Sequence, residues 1–435
     1  MISTKPTQAY LSDPSLLSTL RTIEQTEPFV SWPLQALQRP LFADALEMSE
    51  LCTDLSRLHW LLNDIGERCF GGSRGYLEAQ GVADELIDII LGGTVGRSCT
   101  HLRADVFSTG GQAKVIELNR GNGLGSIDTS LLNEALLAQS GFEAFADEHG
   151  LSYADTLQLV AEQLSAVGAA PDGGPPSIAL IEESGARDQP GGATERMCRN
   201  LRSRGLTIAL GELRDLSERD GRIYLNGATR VDVIFRYFDA TNLLTTPGDK
   251  PVLAALTSAQ YSGTLALFPP LDTDISARKA TLGLLREPQV WSMLTPDEQA
   301  LVERRVPWTR LIGSDRHLLI DECRGRRQEL VLKPSDGFQG SGVILGMNVS
   351  DREWRTRLES PALENYLVQE RVVPDEELIP ESGRLVDWHV LWGVFVLDDE
   401  YGGTTLRGRP AAENGVIGIP GKFSRGCAFL SGGSS

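Results

Sequence analysis

The stretch HLRADVFSTGGQAKVIELNRGNGLGS, residues 101–126, places two apolar runs on either side of a glycine turn. The runs HLRADVF and AKVIELN, joined by STGG, read as a β-hairpin. Alternate side chains of a strand share a face, so Arg103 lies with Asp105 and Glu117 lies with Asn119. Where the arms pair, these four polar groups converge on one patch. A guanidinium, two carboxylates and a carboxamide suit magnesium, a hard cation usually shared between carboxylates and substrate phosphates. Arg103 can then stabilise a terminal phosphoryl group during transfer. The alternative is a hairpin with its polar side in water, which leaves four polar interruptions of apolar strands without a purpose.

A phosphate-binding element to match lies more than two hundred residues downstream, in ELVLKPSDGFQGSGVILG, residues 329–346. Its lysine precedes the glycines, so it is not the G-x-x-x-x-G-K-[ST] loop. A strand follows it, not a helix, so it is not a dinucleotide fingerprint. What remains is a hairpin whose tip carries Gly337, Gly340, Ser341 and Gly342. Small residues there let backbone N–H groups approach phosphate oxygens, and Lys333 adds a point charge. A plain glycine-rich hairpin with a solvated lysine shows the same pattern. Next, in ENYLVQERVVPDEEL, a short strand ends in Gln369, Glu370, Arg371 and Val372. Such a polar hinge suits the edge of adenine, with Glu377 or Asp375 placed for ribose hydroxyls. The tail WHVLWGVFVLDDEYGGTTLRGRP reads as two strands ending in Arg407 and Arg409, cations for a phosphoryl group or a substrate carboxylate, or plain surface arginines.

The bulk numbers set limits. At 435 residues the chain is long for one core, which predicts two or three domains. Apolar runs are too short for a membrane span and the start has no signal-peptide succession, so the expectation is a cytoplasmic protein. Six cysteines are scattered without C-x-x-C, which argues against a zinc site or a disulfide framework. A net charge of −18 argues against nucleic-acid binding. It can draw in a cationic substrate such as a polyamine, although an acidic surface without that purpose is more common.

Helical periodicity runs through residues 35–92, with Leu55, Leu58, Leu62 and Ile65 on one face. A further helix over SYADTLQLVAEQLSAV starts with Ser152 and Asp155 as a capping box. The expected organisation is helices plus the polar hairpin over 1–167, a linker at 168–176, and an open α/β domain with a parallel sheet over 177–270. A helical connection, glycine-rich lid, hinge and terminal strands follow over 271–430, with a disordered tail at 431–435.

Together these residues resemble the ATP-grasp superfamily of ATP-dependent carboxylate–amine ligases. In that superfamily a lid with a lysine covers the nucleotide, a hinge holds adenine, and an R-x-D … E-x-N strand pair binds magnesium. Here the pair comes first, as RAD (103–105) and ELN (117–119), and the lid follows, a circularly permuted order as in glutathionylspermidine synthase and its relatives. The resemblance implies a permuted ATP-grasp fold with a central open α/β domain, ATP, and magnesium, as two ions. It makes Asp105, Glu117 and Asn119 metal ligands, Arg103 and Arg407 phosphate-binding arginines, and Lys333 the lid lysine. Lys279 sits where many relatives carry a second nucleotide lysine. The implied reaction is ADP-forming: a substrate carboxylate becomes an acyl phosphate, and an amine displaces phosphate to give an amide or peptide bond. Stopping at phosphoryl transfer, or binding nucleotide without catalysis, are the alternatives. One departure concerns the substrates: RGNGLGS stands where glutathionylspermidine synthase continues with an Asp-Thr-Pro segment, so neither glutathione nor spermidine carries over. Arg236, ending the strand RVDVIFR, is a candidate for gripping a substrate carboxylate, with a structural arginine as the other reading.

Overall fold

In the computed structural model, strand His101–Thr109 pairs antiparallel with Gln112–Asn119 on one side and with Arg384–Leu397 on the other. The structure describes residues 4–26, 28–29, 35–168, 173–188, 192–312, 316–335, 340–360, 363, 366–418 and 423–432. The seven-stranded sheet runs Leu41–Asp44, Ser424–Ser431, Glu400–Pro410, Arg384–Leu397, His101–Thr109, Gln112–Asn119, with Glu376–Glu381 paired to the other half of the long strand. Both ends of the chain meet here, because Leu41–Asp44 lies parallel to Ser424–Ser431. Ser431, expected to begin a disordered tail, instead pairs with Asp44, while residues 433–435 lie outside the described residues.

Helix Ala45–Phe70 lies across the back of this sheet. Asp44 caps it by accepting from the N–H groups of Leu46 and Glu47, both at 3.0 Å. Leu51, Leu55, Leu58, Leu62 and Ile65, at three- and four-residue steps, pack against Leu102, Ala104 and Val106. Each buried leucine contributes about 1.5–3 kcal/mol relative to exposure. That burial fixes which way the hairpin faces: the even-numbered apolar residues go to the helix, and Arg103 and Asp105 are left on the opposite face.

A second sheet is fully parallel, in the order Ala266–Phe268, Val233–Arg236, Ile178–Glu182, Ile208–Glu212. RVDVIFR, read as one strand, is two. Thr229–Val231 joins a three-stranded antiparallel sheet and Val233–Arg236 joins the parallel one. The break falls at Asp232, whose carboxylate takes the Ser177 N–H at 2.9 Å and pairs with Arg230. The helix Thr156–Val167 is capped by Asp155 alone, accepting from Leu157 and Gln158, and Ser152 bonds to Leu430 instead. Of the expected linker, residues 169–172 lie outside the described residues.

A third sheet, Thr309–Leu311, Tyr366–Glu370, Leu330–Pro334, Ile344–Leu345, is antiparallel and carries the glycine segment. Its strand after the glycines is only two residues long, shorter than the sequence reading. Among the described residues no helix is long and apolar enough to cross a membrane.

Candidate functional site

The first and third sheets face each other across a cavity of about 940 Å³, lined by Arg103, Asp105, Glu117, Asn119, Lys279, Lys333 and Arg407 among others. The hairpin register sets Arg103 opposite Asn119 and Asp105 opposite Glu117, so all four side chains share one face. Alternation alone does not achieve this. The register slips between Asp105 and Val106, where Val106 pairs with Val115 and Ile116 is the extra residue. The bulge resets the phase of the second arm: Val115 and Leu118 are in the core, whereas Ile116, Glu117 and Asn119 reach the cavity.

The charges are already paired with one another. Asp105 takes Arg103 Nε at 3.1 Å on one oxygen and Arg407 at 2.6 Å on the other. Burial alone raises the Asp105 pKa, but Arg407 and Arg103 outweigh it and hold the carboxyl below the usual range. Lys279 lies 3.0 Å from Glu117. Lys333 donates to Gln369 Oε1 at 2.6 Å and to the Ile116 carbonyl at 3.2 Å. Burial pushes its pKa down to about 8, with Lys279 adding to the depression and Glu117 and Asp105 opposing it. Gly393 lies between Asp105 and Thr405 in the register, and a methyl there would meet Thr405 Cγ2 at 2.7 Å and Arg103 Cδ at 2.9 Å, so a larger residue would displace one of these side chains.

This donor set fits a magnesium-bound triphosphate. Asn119 gives its amide N–H to the Arg103 carbonyl at 3.1 Å, which leaves its amide oxygen for a cation alongside the two carboxylates. Arg407 Nε and Ser335 Oγ are buried without a hydrogen-bond partner among the described residues, and both side chains line the cavity. The turn Gly340–Gly342 has φ of +71° and +73° at its two glycines, a left-handed backbone that glycine adopts without strain.

A family model described as a circularly permuted ATP-grasp matches residues 197–369. Among solved structures, a glutathione synthetase-like effector from Globodera pallida superposes with a TM-score of 0.59 at 13% identity, covering 96% of this chain and 98% of the other. The chain has the circularly permuted ATP-grasp fold. A protein described as a gamma-glutamylcysteine synthetase from Methylobacillus flagellatus is a more distant match, with a TM-score of 0.43, 15% identity, and 86% and 87% of the two chains covered. No curated protein sequence matches the chain.

Within this ATP-grasp core, Gly340, Ser341, Glu370, Arg371 and Val372 line the cavity as the sequence led one to expect, and Gly337 lies outside the described residues. The hinge offers less backbone than expected. The N–H of Glu370 is bonded to the Trp308 carbonyl and that of Arg371 to the Glu329 carbonyl, which leaves Val372 N–H for an adenine edge. Three other readings are corrected. Glu377 does not face a ribose: its carboxylate is buried against Arg39 at 2.8 Å, and Asp375 is spent on Ser108 and the Gly110 N–H. Arg236 is fully buried and cannot grip a substrate. It bonds to Asp274 at 2.8 Å and 3.1 Å and to the carbonyls of Pro269, Phe238 and Pro270. Arg409 is held by Glu413 and the Val416 carbonyl and does not line the cavity.

Much of the cavity lining was not assigned from the sequence. Residues 121–126 line the cavity, and Gly123 N–H bonds to the Arg236 carbonyl at 2.7 Å, tying the polar hairpin to the end of the parallel sheet. Asp239–Asn242, Arg278 and Asn414–Gly418 also line it, and the Asn414 carbonyl accepts from Asn348 Nδ2 at 2.9 Å. The glycine- and asparagine-rich GNGLGS and ENGVIG were the available signal for two of these segments.

Proposed function

We propose that this chain is an ATP-dependent carboxylate–amine ligase that releases ADP and phosphate. The observation that carries the reading is the meeting of Lys333, from the lid sheet, with Glu117 and Lys279 around one cavity, far apart as they are in sequence. The chain has a net charge of −18, yet seven arginines and lysines line this cavity against five aspartates and glutamates. A cationic recess in an acidic protein suits a polyanion such as a triphosphate.

Asp105, Glu117 and Asn119 would hold magnesium, which when bound offsets charge on the phosphates. Lys333, Arg103 and Arg407 would lie against the phosphoryl group as it moves to the substrate carboxylate. Their contribution is positioning and electrostatic stabilisation. The acyl phosphate so formed hydrolyses in water, and the walls of the recess, Pro334, Ser335, Gly340 and Ser341 among them, would limit water's access until an amine attacks. The wall at 121–126 and 239–242 is where the acid and the amine would bind.

The test is a screen of carboxylic acids and amines for substrate-dependent ADP release. Glu117→Ala is expected to abolish that release while melting like the wild type. Full turnover in this variant with the true substrates rejects the assignment, and ADP release without an amide product reassigns the chain to phosphoryl transfer.

A further inference from the structure

Gln369 stands at the entrance to the hinge, yet its side chain leaves the base-binding segment. It is 2% exposed and occupies the strand Tyr366–Glu370, between Thr309–Leu311 and Leu330–Pro334. The register puts it opposite Thr309 on one neighbour and opposite Val331 on the other, on the same face as Lys333. Gln369 Oε1 accepts from Lys333 Nζ at 2.6 Å, and Gln369 Nε2 donates to Thr309 Oγ1 at 3.0 Å. The Thr309 hydroxyl gives its one proton to the Pro307 carbonyl at 2.8 Å.

These contacts have only one consistent direction. A hydroxyl whose proton is spent can only accept, so the Gln369 amide must turn its NH₂ toward Thr309 and its oxygen toward the lysine. The flipped amide would set an NH₂ against an ammonium and an oxygen against a lone pair. Lys333 has three protons. Gln369 takes one and the Ile116 carbonyl takes a second at 3.2 Å, which leaves the third for the cavity. A free lysine side chain samples many rotamers, and holding it costs entropy at the moment of binding unless the protein has already paid.

We infer that Gln369 is a positioning residue for the phosphates, locked by Thr309 so that Lys333 presents one N–H to the nucleotide, and that it makes no contribution to adenine recognition. This rests on the ATP reading and adds to it, because the sequence pattern assigned Gln369 to the adenine hinge.

The experiment is a calorimetric double-mutant cycle read with two probes, ADP and adenosine. Gln369→Met is expected to weaken ADP by about tenfold, the order expected for a lost hydrogen bond to a charged group, and to leave adenosine unchanged. In the Lys333→Met background the same substitution should cost nothing further. Thr309→Val keeps a β-branched residue in the strand and frees the amide to flip, so it should follow the same pattern with a smaller loss. It carries the test if Gln369→Met does not fold. Equal losses for ADP and adenosine, or an undiminished loss without Lys333, overturn the inference while leaving the ATP reading in place. A wild-type protein that binds neither probe overturns both.

Discussion

Replacing Lys333 by methionine should make the nucleotide-free protein more stable, not less. Burial holds the Lys333 pKa at about 8 against an ordinary value of 10.5. At about 1.4 kcal/mol per unit, the buried ammonium costs roughly 3 kcal/mol near neutral pH. Lys333→Met removes that cost but strips two acceptors, Gln369 Oε1 and the Ile116 carbonyl, of their donor. At about 1 kcal/mol each, the net gain is about 1 kcal/mol. The sign follows from proton linkage. Below about pH 8 the lysine is charged in both folded and unfolded states and the penalty is complete. Between about 8 and 10.5 the unfolded chain binds more protons than the folded one, so wild-type stability rises with pH. Urea melts of the two proteins near pH 7 and near pH 10 should therefore show the variant ahead at the lower value and behind at the higher. A variant that is less stable near neutrality, by a margin indifferent to pH, refutes the reasoning.

Other expectations follow from the same pairings. Both Asp105 oxygens are bonded to arginines and Glu117 is paired with Lys279, so Mn²⁺ followed by electron paramagnetic resonance should bind poorly alone and well with ADP present. Affinity for ADP should fall as pH rises through about 8, where Lys333 loses its proton, and Lys333→Met should flatten that profile. Arg236→Ala leaves Asp274 buried without its partner and should cost about 3–5 kcal/mol, seen as a loss of folded protein and not as a raised KM.

The polar hairpin was legible because it breaks a local rule. Arg103, Asp105, Glu117 and Asn119 stand out as polar interruptions of apolar strands, and the permuted order of RAD, ELN and the glycine segment pointed to the fold. The bulge at Ile116 was not legible, since one extra residue changes register without changing composition. Glu377 was misread, and Arg236, open in sequence to a substrate role or the structural one that it has, stayed undecided for the same reason. A charged residue near a cleft looks the same in sequence whether it faces ligand or a buried counter-ion, and their partners, Arg39 and Asp274, are set by tertiary structure. The direction of the Gln369 side chain was not legible either: its position along the chain suggests the hinge, where it lines the cavity, and only the strand register shows that its amide meets Lys333.

A crystal structure with magnesium and a non-hydrolysable ATP analogue tests the central claim most directly. The account predicts the phosphates between Lys333 and the hairpin, metal on Asp105, Glu117 and Asn119, and Arg407 drawn from Asp105 toward phosphate. A nucleotide bound elsewhere on the protein, with these side chains still paired as they are now, contradicts it.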